Sequence, residues 1–517
     1  MHLIGEVSRT QWRPNYSRLR SKACREKSAE VIVPCEDSTR EGLNPTEVNI
    51  VKHHQMKGRM QKISARNDSR PQKNRPEAKG YEGVQTFMRV VDGYLTTEQP
   101  KQEYPLLEQI LSPDNLNAAY KQVKSNGGAP GIDKMDCNRL LGYLKEYGEQ
   151  LTESIRQRTY RPNPVRRVEI PKDNGKTRPL SIYCYEDKIV QSALKRVLEA
   201  VFEPCFYEQM MGFRPGRSCH GALKMLDDQI GGHMTNWVLD ADIRGFFDNI
   251  DHEWMMKFVG ARIKDPRILR LVSVMLKAGV VRDMVFEPTE QGSGQGSVCS
   301  PILANIYMHY VLLWWFNEIV VPNLEGYAGI VNYADDFVVC FQYKQEAVAF
   351  YERLKHRMAH FGLSLAEEKC RLIEFGRFAE NNRRHRGEGK PETFDFLGFT
   401  HICSRTGNGY FKVRRKTSRK KFIKKCKDIF RRIGQMRTMK TKEIIAKLNE
   451  ILIGYYHYYG VYGNYPAVIA FRWHVLKSLF YWLNRRSQKK SYNWNGFLDM
   501  VKFGHPLARP KTFYVYI

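Results

Sequence analysis

Apolar residues recur in two different spacings along the chain from about residue 104 onward. Between residues 187 and 202 they lie three or four positions apart, at 189, 190, 193, 194, 197 and 198, which predicts an amphipathic helix. A similar spacing predicts a helix at 345–361. Shorter apolar runs, bounded by turn residues, predict strands instead. These predicted strands are 165–170, 177–182, 237–242, 330–332, 337–341 and 394–400, the first two forming a hairpin with a basic turn.

The two ends of the chain differ in composition from its middle. Residues 1–103 are rich in Arg, Lys, Asn, Ser and Gln without sustained periodicity, which predicts a basic, largely disordered extension with one short helix near 84–95. Such a segment would either touch RNA or remain a solvated tail. Basic helical patterns begin near residue 412, so we expect a domain boundary at about 405–412. The helices predicted beyond it are 415–436, 441–459 and 466–486.

Two adjacent carboxylates stand between two of the predicted strands, in Tyr333-Ala334-Asp335-Asp336. An Asp-Asp pair in a turn is usually solvated and without function. Asp242 changes this interpretation, because it ends another predicted strand and would supply a third carboxylate from a neighbouring strand. Nucleotidyl transfer uses two divalent cations about 4 Å apart, and Mg²⁺ prefers oxygen ligands. The three aspartates therefore predict a two-metal site.

The charge of the chain favours a polyanionic partner. Its 517 residues carry a formal net charge of +28, with a pI of about 9.6, and nucleic acid is the first candidate for such a field. An anionic membrane surface is the alternative, but no apolar run reaches the roughly 18 to 20 residues that a membrane span needs. Eleven cysteines without a CxxC pair predict reduced thiols in a cytosolic protein rather than a zinc site.

A series of sequence blocks resembles, in order, those of reverse transcriptases and specifically of group II intron-encoded proteins. The resemblance runs from about residue 105 to 517. Gly294 stands where the family usually has Pro, and Lys134 replaces a glycine often found there, but neither departure removes a catalytic group. The blocks are 128–133, 170–172 with 177–180, 212–218, 241–252, 294–297 with 300–307, 333–336, 363–369 and 396–399.

The resemblance implies an α+β right-hand polymerase. Fingers and palm, with an antiparallel palm sheet, would occupy residues 104–409, and a helical thumb or maturase domain would occupy 410–517. Such a protein copies an RNA template into cDNA from dNTPs and a DNA primer, and binds its intron RNA to assist splicing and mobility at a DNA target. We expect it in the bacterial cytoplasm, associated with the nucleoid while acting on DNA. Two Mg²⁺ ions, or Mn²⁺, would be held by Asp242, Asp335, Asp336 and the backbone carbonyl of Ile243.

The resemblance also assigns contacts with nucleotide and nucleic acid. Cations on the fingers hairpin would neutralise the triphosphate, and Phe247 would be a steric gate against a ribose 2′-hydroxyl. Gln295 would pack beside the templating base pair. The expected nucleotide contacts are Arg166, Lys172, Arg178, Phe247, Gln295 and Lys369. The expected nucleic-acid contacts are Arg214, Arg414, Arg415, Lys416, Arg419, Lys420, Lys424 and Lys425.

These assignments have structural alternatives: a generic basic face for the cations, core packing for Phe247 and a structural contact for Arg214. Two other functions remain open. One is a non-catalytic RNA-binding maturase, which the intact aspartate triad argues against, and the other is a relative used in antiviral defence. No Cys- or His-rich module follows the thumb, so we expect no C-terminal HNH endonuclease.

Overall fold

The computed structural model describes residues 106–171, 177–282, 285–287, 290–486, 491–512 and 514. The basic extension expected at 1–103, with its short helix, and the expected triphosphate contact Lys172 lie outside the described residues. Among the helices that are described, none is long and apolar enough to cross a membrane.

A helical layer opens the described chain. Ser112 separates its first two helices and caps the second, because its hydroxyl accepts a hydrogen bond from the Asn115 N–H at 3.3 Å. The apolar row predicted at 187–202 is buried in this layer. The helices are α1 (Leu106–Leu111), α2 (Pro113–Asn126), α3 (Leu140–Arg156) and α4 (Tyr185–Phe202).

A mixed sheet of four strands lies beside these helices, in the order β2-β1-β4-β5. The first two strands form the predicted antiparallel hairpin, and β1 also pairs in parallel with β4. The strands are β1 (Val165–Pro171), β2 (Thr177–Ile182), β4 (Val280–Arg282) and β5 (Val285–Glu287).

A second sheet is antiparallel throughout, with the strand order β6-β7-β3-β8. Asp242 ends β3 in this sheet, and Asp336 begins β7. Alternate residues of β7 enter two apolar clusters on opposite faces, with Val339 in one and Val338 in the other. Because helices cover both faces, the strands read as continuous apolar runs rather than alternating ones. The strands are β3 (Trp237–Asp242), β6 (Ala328–Tyr333), β7 (Asp336–Phe341) and β8 (Arg371–Glu374).

Four helices flank this sheet, and a fifth, α7, packs against α6. Helix α5 packs on the face that contains Val338, whereas α6, α8 and α9 contribute to the cluster on the other face. Helix α8 continues through π-helical turns as far as Val320. The helices are α5 (Cys219–Gly231), α6 (His252–Arg262), α7 (Pro266–Leu276), α8 (Ser300–Met308) and α9 (Lys344–His360).

The C-terminal part combines a third sheet with a helical bundle that has its own apolar core. The antiparallel strands are β9 (Phe394–Phe396), β10 (Phe399–Arg405) and β11 (Phe411–Thr417). The helices are α10 (Ala379–His385), which precedes this sheet, and α11 (Arg419–Gln435), α12 (Thr441–Tyr459), α13 (Tyr465–Leu483) and α14 (Trp494–Asp499) in the bundle.

Three of the sequence predictions for this part differ from the structure. The strand expected at 394–400 is two strands, because Leu397 and Gly398 turn the chain with φ values of +49° and +80°. The helix expected at 415–436 starts only at Arg419, and the boundary expected at 409/410 falls inside the β10–β11 hairpin. We therefore propose Ser418 as the domain boundary.

The charged residue Arg415 occupies an inward-facing position of β11. The alternation of apolar and polar residues that predicts a strand is therefore missing from this sequence. The Arg415 side chain points inward and is only 3% exposed, so the expected nucleic-acid contact of Arg415 is wrong. The guanidinium lies 3.1 Å from the Asp227 carboxylate, donates to the Leu223 carbonyl at 2.9 Å and contacts His401 Nε2 at 3.3 Å. This buried arginine ties β11 to α5 and thereby fixes the third sheet on the second.

Replacing Arg415 should destabilise the protein strongly. Arg415→Ala leaves the Asp227 carboxylate without its buried partner, which typically costs about 3 to 5 kcal/mol. We expect a clear fall in the urea midpoint of unfolding. The matched control is Arg414→Ala, an exposed neighbour on the same strand, for which a change below about 0.5 kcal/mol is expected. Similar midpoints for the two variants would contradict the assigned role of Arg415.

Candidate active site

Two carboxylates stand at the tip of the β6–β7 hairpin. Tyr333 pairs with Asp336, so that Ala334 and Asp335 form a two-residue turn, with Ala334 at a φ of +61°. Tight hairpin turns require positive φ values at central positions, because only these match the twist of the strands. The strand behind Asp336 is fully buried from residue 337 to 341. Both aspartates are therefore presented from a rigid element.

The third carboxylate faces this tip from the neighbouring strand. Asp242 pairs directly with Asp336, and paired residues in antiparallel strands project from the same face of the sheet. Burial is the largest cause that raises the pKa of Asp335 and of Asp336, and the negative charge of Asp242 raises both further. A divalent cation would relieve this repulsion, and carboxylate oxygens are the ligands that Mg²⁺ prefers.

The backbone carbonyl of Ile243 is a further oxygen on the side of β3 that faces β7. Ala366 N–H donates to the Asp242 carbonyl at 2.8 Å, and Arg244 N–H donates to the Ser364 carbonyl at 2.8 Å. In antiparallel pairing of this kind, the residue between the two bonds directs its own N–H and C=O away from the partner segment. The Ile243 carbonyl therefore points towards the β7 side of β3, where the hairpin tip lies.

Lys369 forms an ion pair with Asp242. Its side chain is 63% exposed, and ion pairs this exposed contribute little, so Lys369 is able to leave Asp242 for an anionic ligand. In the part of the chain that the structure describes, no three His, Cys, Asp or Glu side chains meet the geometry for holding a metal ion. The donor set fits a divalent cation in its chemistry, and binding would require Asp242 to exchange Lys369 for the ion.

A buried asparagine holds the hairpin from its other edge. Asn332 is fully buried, its N–H donates to the Gln209 carbonyl at 2.9 Å and its carbonyl accepts from the Met211 N–H at 2.8 Å. Its side-chain amide donates to the Ala334 carbonyl at 2.8 Å and so fixes the turn itself. The sequence analysis missed this role, although a polar residue inside an apolar run was a usable signal.

Gly212 lies against the turn so closely that only glycine fits. A Cβ atom there would overlap the backbone nitrogen of Ala334. The Gly212 carbonyl accepts a hydrogen bond from Asn305 Nδ2 at 2.9 Å, which connects α8 to the same position. Two sequence blocks of the resemblance, around Gly212 and Asn305, thus meet behind the aspartates and position them.

Arg214 supports this segment from inside the protein. Its side chain is only 4% exposed, so the nucleic-acid contact expected of Arg214 is wrong. The guanidinium lies 2.9 Å from the Glu203 carboxylate and donates to the carbonyls of Tyr207 and Met210 at 2.7 and 2.9 Å. Because its donors bind the protein's own backbone, Arg214 is a structural residue.

Two arginines on the β1–β2 hairpin have donors available for an anion. The register pairs Arg166 with Ile182 and Ile170 with Arg178, so both arginines project from one face of the hairpin. Arg166 Nε and Arg178 Nη1 are buried and find no acceptor among the described residues. The positive charge of Arg178 also opposes the effect of burial on the pKa of Asp335, so the two groups interact electrostatically. Such donors suit a phosphate-bearing ligand.

Comparison with known proteins agrees with this geometry. Residues 170–401, which contain all three aspartates, match the family described as reverse transcriptase (RNA-dependent DNA polymerase). Residues 419–497 match the family described as group II intron, maturase-specific domain. Protein YkfC of Escherichia coli is 32% identical over 286 residues, which are 50% of this chain and 75% of YkfC. The chain belongs to the group II intron reverse transcriptases.

Other relatives match over a smaller part of their own length. The group II intron-encoded protein LtrA of Lactococcus lactis is 40% identical over 205 residues, 40% of this chain and 34% of LtrA. An uncharacterized 91 kDa protein in the cob intron of Schizosaccharomyces pombe is 36% identical over 200 residues, 39% of this chain and 24% of that protein. The chain thus spans about a third of LtrA. Members of the reverse transcriptase family use divalent metal ions and act on RNA and DNA.

In this group II intron reverse transcriptase, Phe247 lies at the base of the site. Its side chain is 7% exposed and packs edge-on against Phe213 and Phe246, with ring centroids 6.4 and 5.3 Å away. Its backbone carbonyl accepts a hydrogen bond from Ser293 N–H at 2.7 Å, which attaches the loop 292–296. The proposed gate is therefore held firmly on one side by aromatic packing and on the other by this loop.

The same loop carries Gln295 and the unusual Gly294. Gln295 Nε2 donates to the Asp248 carboxylate at 3.0 Å, while Gln295 Oε1 is buried without a partner among the described residues. A Cβ atom on Gly294 would overlap the hydroxyl of Tyr183, which explains locally why glycine stands at this position. The contact of Gln295 with a templating base pair stays a prediction.

The basic residues of β11 and α11 differ in exposure. Arg414, Lys416, Arg419 and Lys420 are exposed, whereas Lys424 and Lys425 are half-buried. Lys421, a further lysine of this basic segment, interacts electrostatically with the site. The charge of Lys421 opposes the strong effect of burial that raises the pKa of Asp336. One side of α11 therefore faces the aspartates.

Adding one methyl group behind the turn should impair catalysis. Gly212→Ala would push the Ala334–Asp335 turn away, and misplacement by about 1 Å costs on the order of 100-fold in rate. We expect primer extension on an RNA template to fall by about that factor. Gly142→Ala is the control, since a Cβ in α3 meets nothing within 4 Å and favours the helix. Unchanged extension by Gly212→Ala would contradict the positioning role of this contact.

Proposed function

We propose that this protein is an RNA-directed DNA polymerase that also binds its intron RNA to assist splicing and mobility. The observation that carries the proposal is the direct cross-strand pairing of Asp242 with Asp336, with Asp335 in the adjoining turn. The mixed and antiparallel sheets correspond to fingers and palm, and the bundle from Arg419 onward corresponds to the thumb. Its place of action would be the bacterial cytoplasm, with nucleoid association while it acts on DNA.

The aspartates would perform two-metal nucleotidyl transfer. Two Mg²⁺ ions, held by the three carboxylates and the Ile243 carbonyl, would supply an activated primer 3′-hydroxyl and a neutralised pyrophosphate leaving group. The hairpin contributes position: Asn332 and Gly212 keep the Asp335–Asp336 tip fixed relative to β3. Lys369, released from Asp242, would be free to contact the incoming nucleotide.

The fingers hairpin would bind the triphosphate of a dNTP. Arg166 and Arg178 share one face, and each has a buried donor without an acceptor among the described residues. Charge-assisted hydrogen bonds from guanidinium groups to phosphate oxygens are strong and directional. Lys172, which follows β1 in the sequence, would add to them by analogy with the family.

Binding to intron RNA would use the basic surface of the third sheet and thumb. Arg414, Lys416, Arg419 and Lys420 are exposed there, and phosphate contacts of this kind make binding salt-sensitive. The maturase-specific match at 419–497 favours intron RNA as the partner over a role in antiviral defence. The paired carboxylates favour a polymerase over a maturase that lacks catalysis.

Removing the carboxylates should abolish synthesis without unfolding the protein. For the Asp335→Asn, Asp336→Asn double variant we expect primer extension on RNA with Mg²⁺ and dNTPs to fall by at least about 1000-fold. Burial raises the pKa of both carboxyls, so their ionised forms destabilise the fold and their neutralisation should leave the unfolding midpoint equal or higher at pH 7. Asp499→Asn, at an exposed position of α14, is the control that should extend normally. Parental activity in the double variant would refute the metal assignment.

A second prediction tests the choice of sugar. Phe247→Ala should raise incorporation of ribonucleotides relative to deoxynucleotides, because the aromatic ring five residues beyond Asp242 would no longer exclude a 2′-hydroxyl. We expect about a 10-fold or larger shift in the ratio of kcat/KM values. Phe247→Tyr retains the bulk and should retain the selectivity. An unchanged ratio in Phe247→Ala would assign Phe247 to packing alone.

A further inference from the structure

A row of exposed aromatic, aliphatic and basic side chains runs along α13 and ends with Arg485, two residues beyond the helix. Its members stand four positions apart, a spacing at which helical residues are surface neighbours. Ile469 and Trp473 are each 45% exposed and Tyr481 is 39% exposed, whereas the intervening Lys477 and the following Arg485 are exposed cations. We call this row the α13 stripe: Ile469, Trp473, Lys477, Tyr481 and Arg485. Several large apolar groups exposed together on one helix mark a binding surface.

A cation lies near each of the two aromatic rings of the stripe. Lys477 Nζ lies 5.7 Å from the centre of the Trp473 ring, and the Arg485 guanidinium lies 4.4 Å from the centre of the Tyr481 ring. Successive members rise by about 6 Å along the helix. The stripe thus alternates flat surfaces for stacking with positive charges for phosphate groups, the combination that binds unpaired nucleic acid.

The stripe continues into a groove between α11 and α13. Phe430 packs against Tyr481 with ring centroids 5.4 Å apart, so the groove and the stripe share an edge. The groove has a volume of about 450 Å³ and contains the exposed Ile423. It is lined by Phe422, Ile423, Cys426, Lys427, Phe430 and His474.

This surface faces away from the aspartates. Lys421 marks the side of α11 whose charge reaches Asp336. Helical residues turn by about 100° each, so Ile423 and Phe430 lie roughly 200° and 180° around the helix from Lys421. The groove therefore opens on the side of α11 opposite Lys421.

We propose that the α13 stripe binds unpaired nucleotides in a loop of the intron RNA. The inference rests on the proposed function, namely that the chain binds intron RNA, and adds the site and the form of the RNA. Bases in a duplex are already stacked, whereas splayed loop bases stack on aromatic side chains and arginine. A purely apolar protein partner would leave Lys477 and Arg485 unmatched. The stripe lies inside residues 419–497, the maturase-specific match, which selects RNA rather than DNA.

The test is anisotropy titration of the full chain with three labelled probes: an RNA hairpin with a large unpaired loop, a blunt RNA duplex of the same stem, and the hairpin with a DNA loop. Trp473→Ala and Tyr481→Ala should each weaken binding of the RNA-loop hairpin by about 5- to 100-fold. Affinity for the blunt duplex and primer extension on a preformed template–primer should change by less than about twofold. Trp473→Phe keeps a flat ring and should restore most of the affinity.

The matched control is Tyr343→Ala, which removes an aromatic ring of similar exposure, 44%, beside α9. It should leave all three affinities unchanged. Unaltered RNA-loop binding in Trp473→Ala and Tyr481→Ala overturns the proposal, as does an equal loss on the blunt duplex. Equal binding of the DNA loop at the stripe overturns the choice of RNA. A parent chain that binds the RNA loop through the stripe but extends no primer would refute the polymerase and leave this inference standing.

Discussion

The pairing of Asp242 with Asp336 across two strands is the constraint on which the rest of the structure depends. It gathers like charges in a partly buried place, where burial and mutual repulsion raise the pKa values of Asp335 and Asp336. Such an arrangement opposes folding, so it persists only where the surroundings hold it. The buried amide of Asn332 does this for the turn, and the close approach of Gly212 does it from behind.

Positive charge is distributed around the aspartates by separate parts of the chain. Arg178 approaches from the first sheet, Lys369 from the segment before β8, and Lys421 from the helical bundle. Each cation moderates the repulsion among the carboxylates, and each comes from a part of the chain that a nucleic-acid polymerase must bring to its substrate. Three separate parts of the described chain thus each contribute a cation that acts on these carboxylates.

The two buried arginines show how a basic residue can be structural. Arg214 binds backbone carbonyls of the segment that supports the turn, and Arg415 joins β11 to α5 through Asp227. Both stand in basic stretches of sequence, where exposure is the ordinary expectation. The basic helix α11 likewise has two different sides. One side faces the aspartates, and the other forms a groove with α13.

The sequence by itself determined the strands β3, β6 and β7, the turn between the last two, and the three aspartates, because apolar runs and Asp-Asp turns are local patterns. Local patterns do not say which strands become neighbours. Only the tertiary structure set the register that pairs Asp242 directly with Asp336, turned Arg415 inward, divided 394–417 into three strands, and aligned the α13 stripe beside a groove. These features arise from contacts between residues far apart in the chain, where packing overrides local preference.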